Sequence, residues 1–198
     1  MPPEDATMRP LTPDDLLSLE DFAGQRRQHF EAHARYVDRY RRVRLGPRLT
    51  LVFENRQTLW FRVQEVLRVA RLVDPARVRE ELAVYNRLLP GAGRLQAALL
   101  IAPDDDRPPA LRGEELRLRM GGAAVPALLV TCRPEDCLAG AAHWVCFDLD
   151  DGARRRLADF RHSAHFEIVN PSYKHESAAL SEDVRQSLLD DLAMSDKD

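Results

Sequence analysis

Between positions 54 and 68 the chain carries Glu54, Arg56, Gln64, Glu65 and Arg68. These carboxylate, guanidinium and amide groups have the chemistry to bind a polar ligand or carry a proton. Glu65 and Arg68 are spaced i,i+3, so on a helix they meet on one face. They read first as a structural ion pair, next as part of a polar binding pocket with Glu54, Arg56 and Gln64, and last as catalytic groups. Tyr173 and His175 would project the same way from an extended segment, either closing a pocket or anchoring a loop. His143 alternates with Val145, Phe147 and Leu149, which places its imidazole on the apolar side of a strand. A hydrogen-bonded core histidine is the plain reading. An enzyme reading gathers Glu54, Glu65, His143 and His175 as ligands or proton carriers, with His143, His175 and Glu65 the candidate metal ligands.

Cys132, Cys137, His143 and Cys146 match a tetrahedral zinc site in number but not in spacing. No Cys-x-x-Cys knuckle is present, and His143 and Cys146 fall on opposite faces of a regular strand. The cysteines therefore read as structural or incidental. Gly91-Ala92-Gly93 and Gly121-Gly122 fit neither a phosphate-cradling loop nor a nucleophile elbow. The residues identify no cofactor.

These groups must be held by regular elements. Thr12-Pro13-Asp14-Asp15 is a helix-start signal, and a short helix through Leu16, Leu17 and Leu19 is predicted after it. A longer helix is predicted from Gln25 to Arg42, ended by Gly46-Pro47. A strand at Leu49–Phe53 leads into a helix from Thr58 to Leu72, whose Leu59, Trp60, Val63, Val66, Leu67 and Ala70 form one broad apolar face. Its other side mixes Phe61, Val69 and Leu72 with Glu65 and Arg68, so that side is expected to be covered as well. Asp74-Pro75 restarts a helix that Pro90-Gly91 stops. Strands follow at Leu95–Ile101, Leu116–Met120, Val125–Thr131, His143–Leu149 and Ser163–Val169, with Gly121-Gly122 as a hairpin turn. A helix over Asp150–Phe160 and a last one capped by Ser181 complete the pattern. The fold class is α+β: N-terminal helices packed on one side of a mainly antiparallel sheet, with a C-terminal helix. Residues 11–193 are expected to form one globular domain between flexible tails at 1–10 and 194–198.

The 198 residues are 44% hydrophobic and 31% charged, the balance of an ordinary globular chain with one core. No apolar run reaches the roughly 18 residues of a membrane helix, and the acidic, proline-rich start is unlike an export leader, so a cytoplasmic location and no membrane partner are expected. An odd number of cysteines fits a reducing compartment. A net charge of −3 argues against a nucleic-acid coat. The six arginines between Arg35 and Arg48 leave nucleic-acid binding as an alternative, against the simpler reading of a solvated helix face. Oligomeric state is left open.

The run Phe53-Glu54-Asn55-Arg56-Gln57-Thr58, continued by Val63-Gln64-Glu65-Val66-Leu67-Arg68 and Glu80-Glu81-Leu82-Ala83-Val84-Tyr85-Asn86, resembles the bacterial family called domain of unknown function 3501. Leu11 to Leu16, Ala141-Ala142-His143-Trp144 and Pro171-Ser172-Tyr173-Lys174-His175-Glu176 extend the resemblance along most of the chain. Asn170 stands where the family's late segment has its first histidine, which weakens a paired-histidine metal reading there. Residues 104–122 are shorter and richer in proline than in the family, so their elements are left open. The resemblance implies rubrerythrin and an iron–sulfur oxidoreductase as associates, and hence an accessory or binding role near peroxide handling or electron transfer. The candidate binding set is then Glu54, Arg56, Gln64, Glu65 and Arg68 with Tyr85, Asn86, Tyr173 and His175.

Overall fold

The computed structural model describes residues 9–102, 113–130 and 143–194, with the main chain alone at 113, 143 and 194. Cys132, Cys137 and most of the two expected tails lie outside the described residues.

The Thr12 signal closes on a 3-10 turn, Pro13–Asp15, rather than opening a helix. The expected short helix is replaced by an extended Leu16, after which Ser18 caps a single helix α1, Leu19–Tyr40. Gly24 does not break α1, since a glycine within a helix costs only about 1 kcal/mol. Beyond α1 comes β1, Arg42–Leu45, a strand where the sequence predicts only the end of the helix at Arg42. Its arginines point outward while Val43 and Leu45 point into the core. A tight turn at Gly46, with φ +68°, leads to β2, Leu49–Phe53.

Asn55 begins α2, Arg56–Ala70, by accepting from the Thr58 amide at 3.1 Å while the Thr58 hydroxyl accepts from the Asn55 amide at 2.9 Å. This reciprocal cap satisfies two main-chain donors at once. Asp74 and Pro75 open α3, Pro75–Asn86. The later elements are β3 (Arg94–Ile101), β4 (Leu116–Met120), β5 (Ala123–Leu129), β6 (His143–Asp148), α4 (Asp151–Ala158), β7 (Ala164–Asn170), β8 (Tyr173–Glu176) and α5 (Glu182–Met194). Gly121-Gly122 makes the β4–β5 hairpin turn, with φ +59° at Gly121 that a side chain would resist. No helix among the described residues is long and apolar enough to cross a membrane.

The eight strands form one antiparallel sheet in the order β1-β2-β3-β6-β5-β4-β7-β8. Alternation along β3 sends Leu95, Ala97 and Leu99 into one cluster with Phe53, Phe147, Phe166 and α4–α5 residues Leu157, Leu188 and Leu192. It sends Ala98 into a second cluster with Trp144, Leu59, Val63 and Leu67 of α2, and Leu82 and Tyr85 of α3. The N-terminal helices α2 and α3 therefore pack on one face of the sheet, as expected of the α+β class, and α4 and α5 cover the other. The C-terminal helix was expected, but sequence order alone does not say which face it takes.

The sheet curls until its two edge strands meet. The Tyr173 hydroxyl of β8 donates to the Leu45 carbonyl of β1 at 2.6 Å and accepts from the Arg48 amide at 3.2 Å. A Cβ on Gly46 would lie 2.5 Å from the His175 ring, so glycine is required there for both its φ and its space. On the other side of the core, buried Arg185 of α5 donates to the carbonyls of Leu157, Asp159, Arg156 and His162 at 2.5 to 3.0 Å. One guanidinium thus gathers the main-chain acceptors left at the end of α4.

Candidate functional site

The run from Glu54 to Thr58 sits where the end of β2 meets α1, α2 and α5. Glu54 is fully buried; it accepts from the Thr58 hydroxyl and from Arg62, each at 2.5 Å. Arg62 also lies over the Trp144 ring, 5.3 Å from its centroid. A carboxylate removed from water survives when charge and hydrogen bonds compensate it, and both are present. Next to it, Asn55 donates to the Tyr36 hydroxyl at 2.9 Å, and Arg41 donates to the same oxygen at 2.7 and 2.9 Å. Arg41 is also doubly bonded to Asp191 of α5, and both residues are buried. Burial alone would lower the Arg41 pKa, but Asp191 and the Tyr36 oxygen outweigh it and hold the guanidinium above its ordinary range.

This buried pair floors an open cleft of about 360 Å³. Tyr36 and Tyr40 of α1 form one wall, Asn55, Arg56 and Gln57 a second, and Asp183, Gln186 and Asp190 of α5 a third. The cleft is lined by polar and charged residues of α1, α2 and α5 and the positions that cap α1 and α2, although carbon atoms make up most of its wall. Of the sequence candidates only Arg56 lines it, and Arg56 is braced from outside by Asp15 at 2.6 Å. Tyr36, Asn55, Gln57 and Asp191 were not singled out as site residues. Asn55 and Gln57 stand in the run that carries the family resemblance, whereas Asp191 lies 150 positions from its partner Arg41 and no local pattern links them.

The other candidates are dispersed. Glu65 does pair with Arg68, at 2.9 Å, but Arg26 of α1 grips the same carboxylate at 2.8 and 3.2 Å. Burial would raise the Glu65 pKa; hydrogen bonds from Arg68 and Arg26 override this and keep it below the usual range. Phe61 packs among Phe22, Phe30 and His33, so α1 covers this side of α2. Leu72 packs toward the α2–α3 core, while Val69 remains 69% exposed. Gln64 is fully buried, and neither end of its amide has a hydrogen-bond partner among the described residues.

Asn86 clamps the N-terminal segment, accepting from the Leu11 amide at 2.8 Å and donating to its carbonyl at 2.9 Å. Tyr85 is buried in the second cluster, and burial pushes its phenol up to about 12, so it stays neutral. The Tyr173 and His175 rings meet at a tilt, with centroids 4.3 Å apart, and hold the Gly46 turn.

The groups of the enzyme reading are spread across the fold. Thr58, which holds Glu54, lies about 10 Å along the helix axis from Glu65. His175 belongs to the β1–β8 seam. The side chain of His143 lies outside the described residues; its main chain pairs with Leu99. Cys146 is buried, which raises its thiol pKa and disfavours thiolate chemistry. In the Arg35–Arg48 segment, Arg39, Arg41 and Arg42 are paired with Asp183, Asp191 and Asp38.

No curated protein matches the chain. Among solved structures, a protein of unknown function from Burkholderia pseudomallei K96243 superposes with a TM-score of 0.81 at 26% identity, over 93% of this chain and 100% of that one. The two chains therefore share a fold at the level of the main chain. The family model described as "Protein of unknown function (DUF3501)" matches residues 10–192, and the chain belongs to that family.

Proposed function

We propose that the protein is a non-catalytic binding or accessory protein whose cleft between α1, α2 and α5 receives a small polar ligand. The observation that carries this reading is the Arg41–Asp191 pair, buried at the floor of an otherwise open cleft of about 360 Å³ lined by polar residues. Concave sites with a few fixed polar groups are the usual form of a small-molecule site, and a buried charged pair keeps those groups oriented. Asp183 is already held by Arg39, and Arg41 and Arg39 lie over the Tyr36 and Tyr40 rings, so Asp190 is the carboxylate that favours a ligand bearing a positive nitrogen. Its working place is the cytoplasm, and its partners are the rubrerythrin and iron–sulfur oxidoreductase that the family resemblance implies.

Two experiments test the reading. A thermal-shift screen with amines and amino acids should yield a stabilising ligand whose effect is lost in Gln57→Ala and Asp190→Asn. A ligand whose effect survives both substitutions binds elsewhere, and a screen without any stabilising compound counts against the cleft. For the partners, affinity capture from cells under peroxide stress should recover both redox proteins; recovery of neither, with both expressed, removes that association.

A further inference from the structure

On the outer face of the β4–β7–β8 part of the sheet, three side chains converge. His165 and Glu167 stand two apart on β7, and Glu176 of β8 is the register partner of Glu167. Strand alternation puts His165 and Glu167 on the side opposite the core residues Ala164, Phe166 and Ile168. One donor atom from each of the three lies within 4.8 Å of the others. The imidazole makes this a mixed nitrogen and oxygen donor set rather than an acidic patch.

Two guanidiniums of β4 stand near Glu167 and partly screen it, but neither closes to hydrogen-bond length. Two carboxylates directly opposite each other across an antiparallel pair repel. Arg119 and Arg117 approach Glu167 only to 3.8 and 3.9 Å, beyond hydrogen-bond length, and His165 stands 3.9 Å from Glu176. The donor atoms of all three side chains thus lie in one small volume. Glu167 is only 14% exposed, so its carboxylate is partly shielded from water, while Glu176 at 69% keeps the point open to solvent.

We infer that His165, Glu167 and Glu176 bind one divalent first-row transition-metal cation, with water completing its coordination. One imidazole and two carboxylates suit Zn²⁺, Co²⁺ or Mn²⁺ better than Mg²⁺ or Ca²⁺, which prefer oxygen alone. The cation neutralises the Glu167–Glu176 repulsion and ties β8 to β7. Because β8 carries Tyr173, the same bond braces the seam that closes the sheet.

The test uses the untagged, chelator-treated full chain titrated with Co²⁺, followed by absorption and calorimetry. One equivalent should bind and give visible d–d bands without a thiolate-to-metal charge-transfer band. His165→Ala and Glu167→Gln should each bind at least about tenfold more weakly, as loss of a ligand should exceed loss of a supporting contact. Glu176→Gln, at an exposed position, should weaken binding too without disturbing the far-ultraviolet circular dichroism. A Co²⁺ concentration that just saturates the wild type should raise its melting temperature more than that of Glu176→Gln. Absence of saturable binding, wild-type affinity in all three variants, or a thiolate charge-transfer band would each overturn the assignment.

Discussion

The Tyr173 hydroxyl donates to the Leu45 carbonyl at 2.6 Å, so one phenol joins the first and last strands of an eight-stranded sheet. Tyr173→Phe keeps the ring but leaves the Leu45 carbonyl and the Arg48 amide without this partner. Urea denaturation should show a loss of about 1–3 kcal/mol. Hydrogen exchange should quicken at Arg48. An unchanged midpoint would mean that the seam is held by packing alone.

Gly46→Ala should destabilise for two separable reasons. Its φ of +68° costs roughly 1 kcal/mol for any residue with a Cβ, and the added methyl meets the His175 ring. The double variant Gly46→Ala/His175→Ala should regain the steric part and keep the dihedral part. A double-mutant cycle measures the coupling, and additivity would show that the ring moves away freely.

Arg41→Ala leaves Asp191 buried without its counter-charge, an arrangement that costs about 3–5 kcal/mol. Replacing both residues, as Arg41→Met/Asp191→Leu, should cost less than the single change. Denaturation of the two variants side by side decides this; a double variant as unstable as the single one would assign the stability to packing rather than to charge.

His33 supplies a pH signature. Burial, assisted by the charges of Arg62 and Arg42, lowers its pKa from 6.5 to about 4. Between those values the unfolded chain binds a proton that the folded chain refuses. Its contribution to stability is therefore complete above about pH 6.5 and falls as the pH drops to about 4, by at most about 3 kcal/mol. His33→Leu should flatten that part of the stability profile. An identical slope in the variant would place the proton uptake on another group.

Arg185→Lys should cost about 2 kcal/mol or more, since a lysine has one donor centre for four carbonyls fixed by a planar fork. Calorimetry checks it, and a neutral result would show that water can replace the fork.

The sequence made the fold class legible because its longer elements are strongly patterned. The apolar stripe of α2, the Asp74-Pro75 start of α3 and the Gly121-Gly122 turn each act through neighbours in the chain. The two edge strands were not legible. β1 and β8 are four residues each, and their Arg42, Arg44, Lys174 and Glu176 are the charged residues that protect an edge from pairing. For the candidate site, the Glu65–Arg68 pair followed from helical spacing, but Arg26, which completes it, comes from a helix 39 positions away. The cleft depends on Arg41 and Asp191, whose contact exists only after α1 and α5 have packed on each other.

Asn55 ties recognition to helix initiation: it is at once the cap of α2, a donor to Tyr36 and part of a cleft wall. An occupant that pulled this amide aside would have to unravel the first turn of α2. Such a rim selects guests by matching a fixed outline rather than by moulding itself to them, so closely related molecules should be told apart by size and shape.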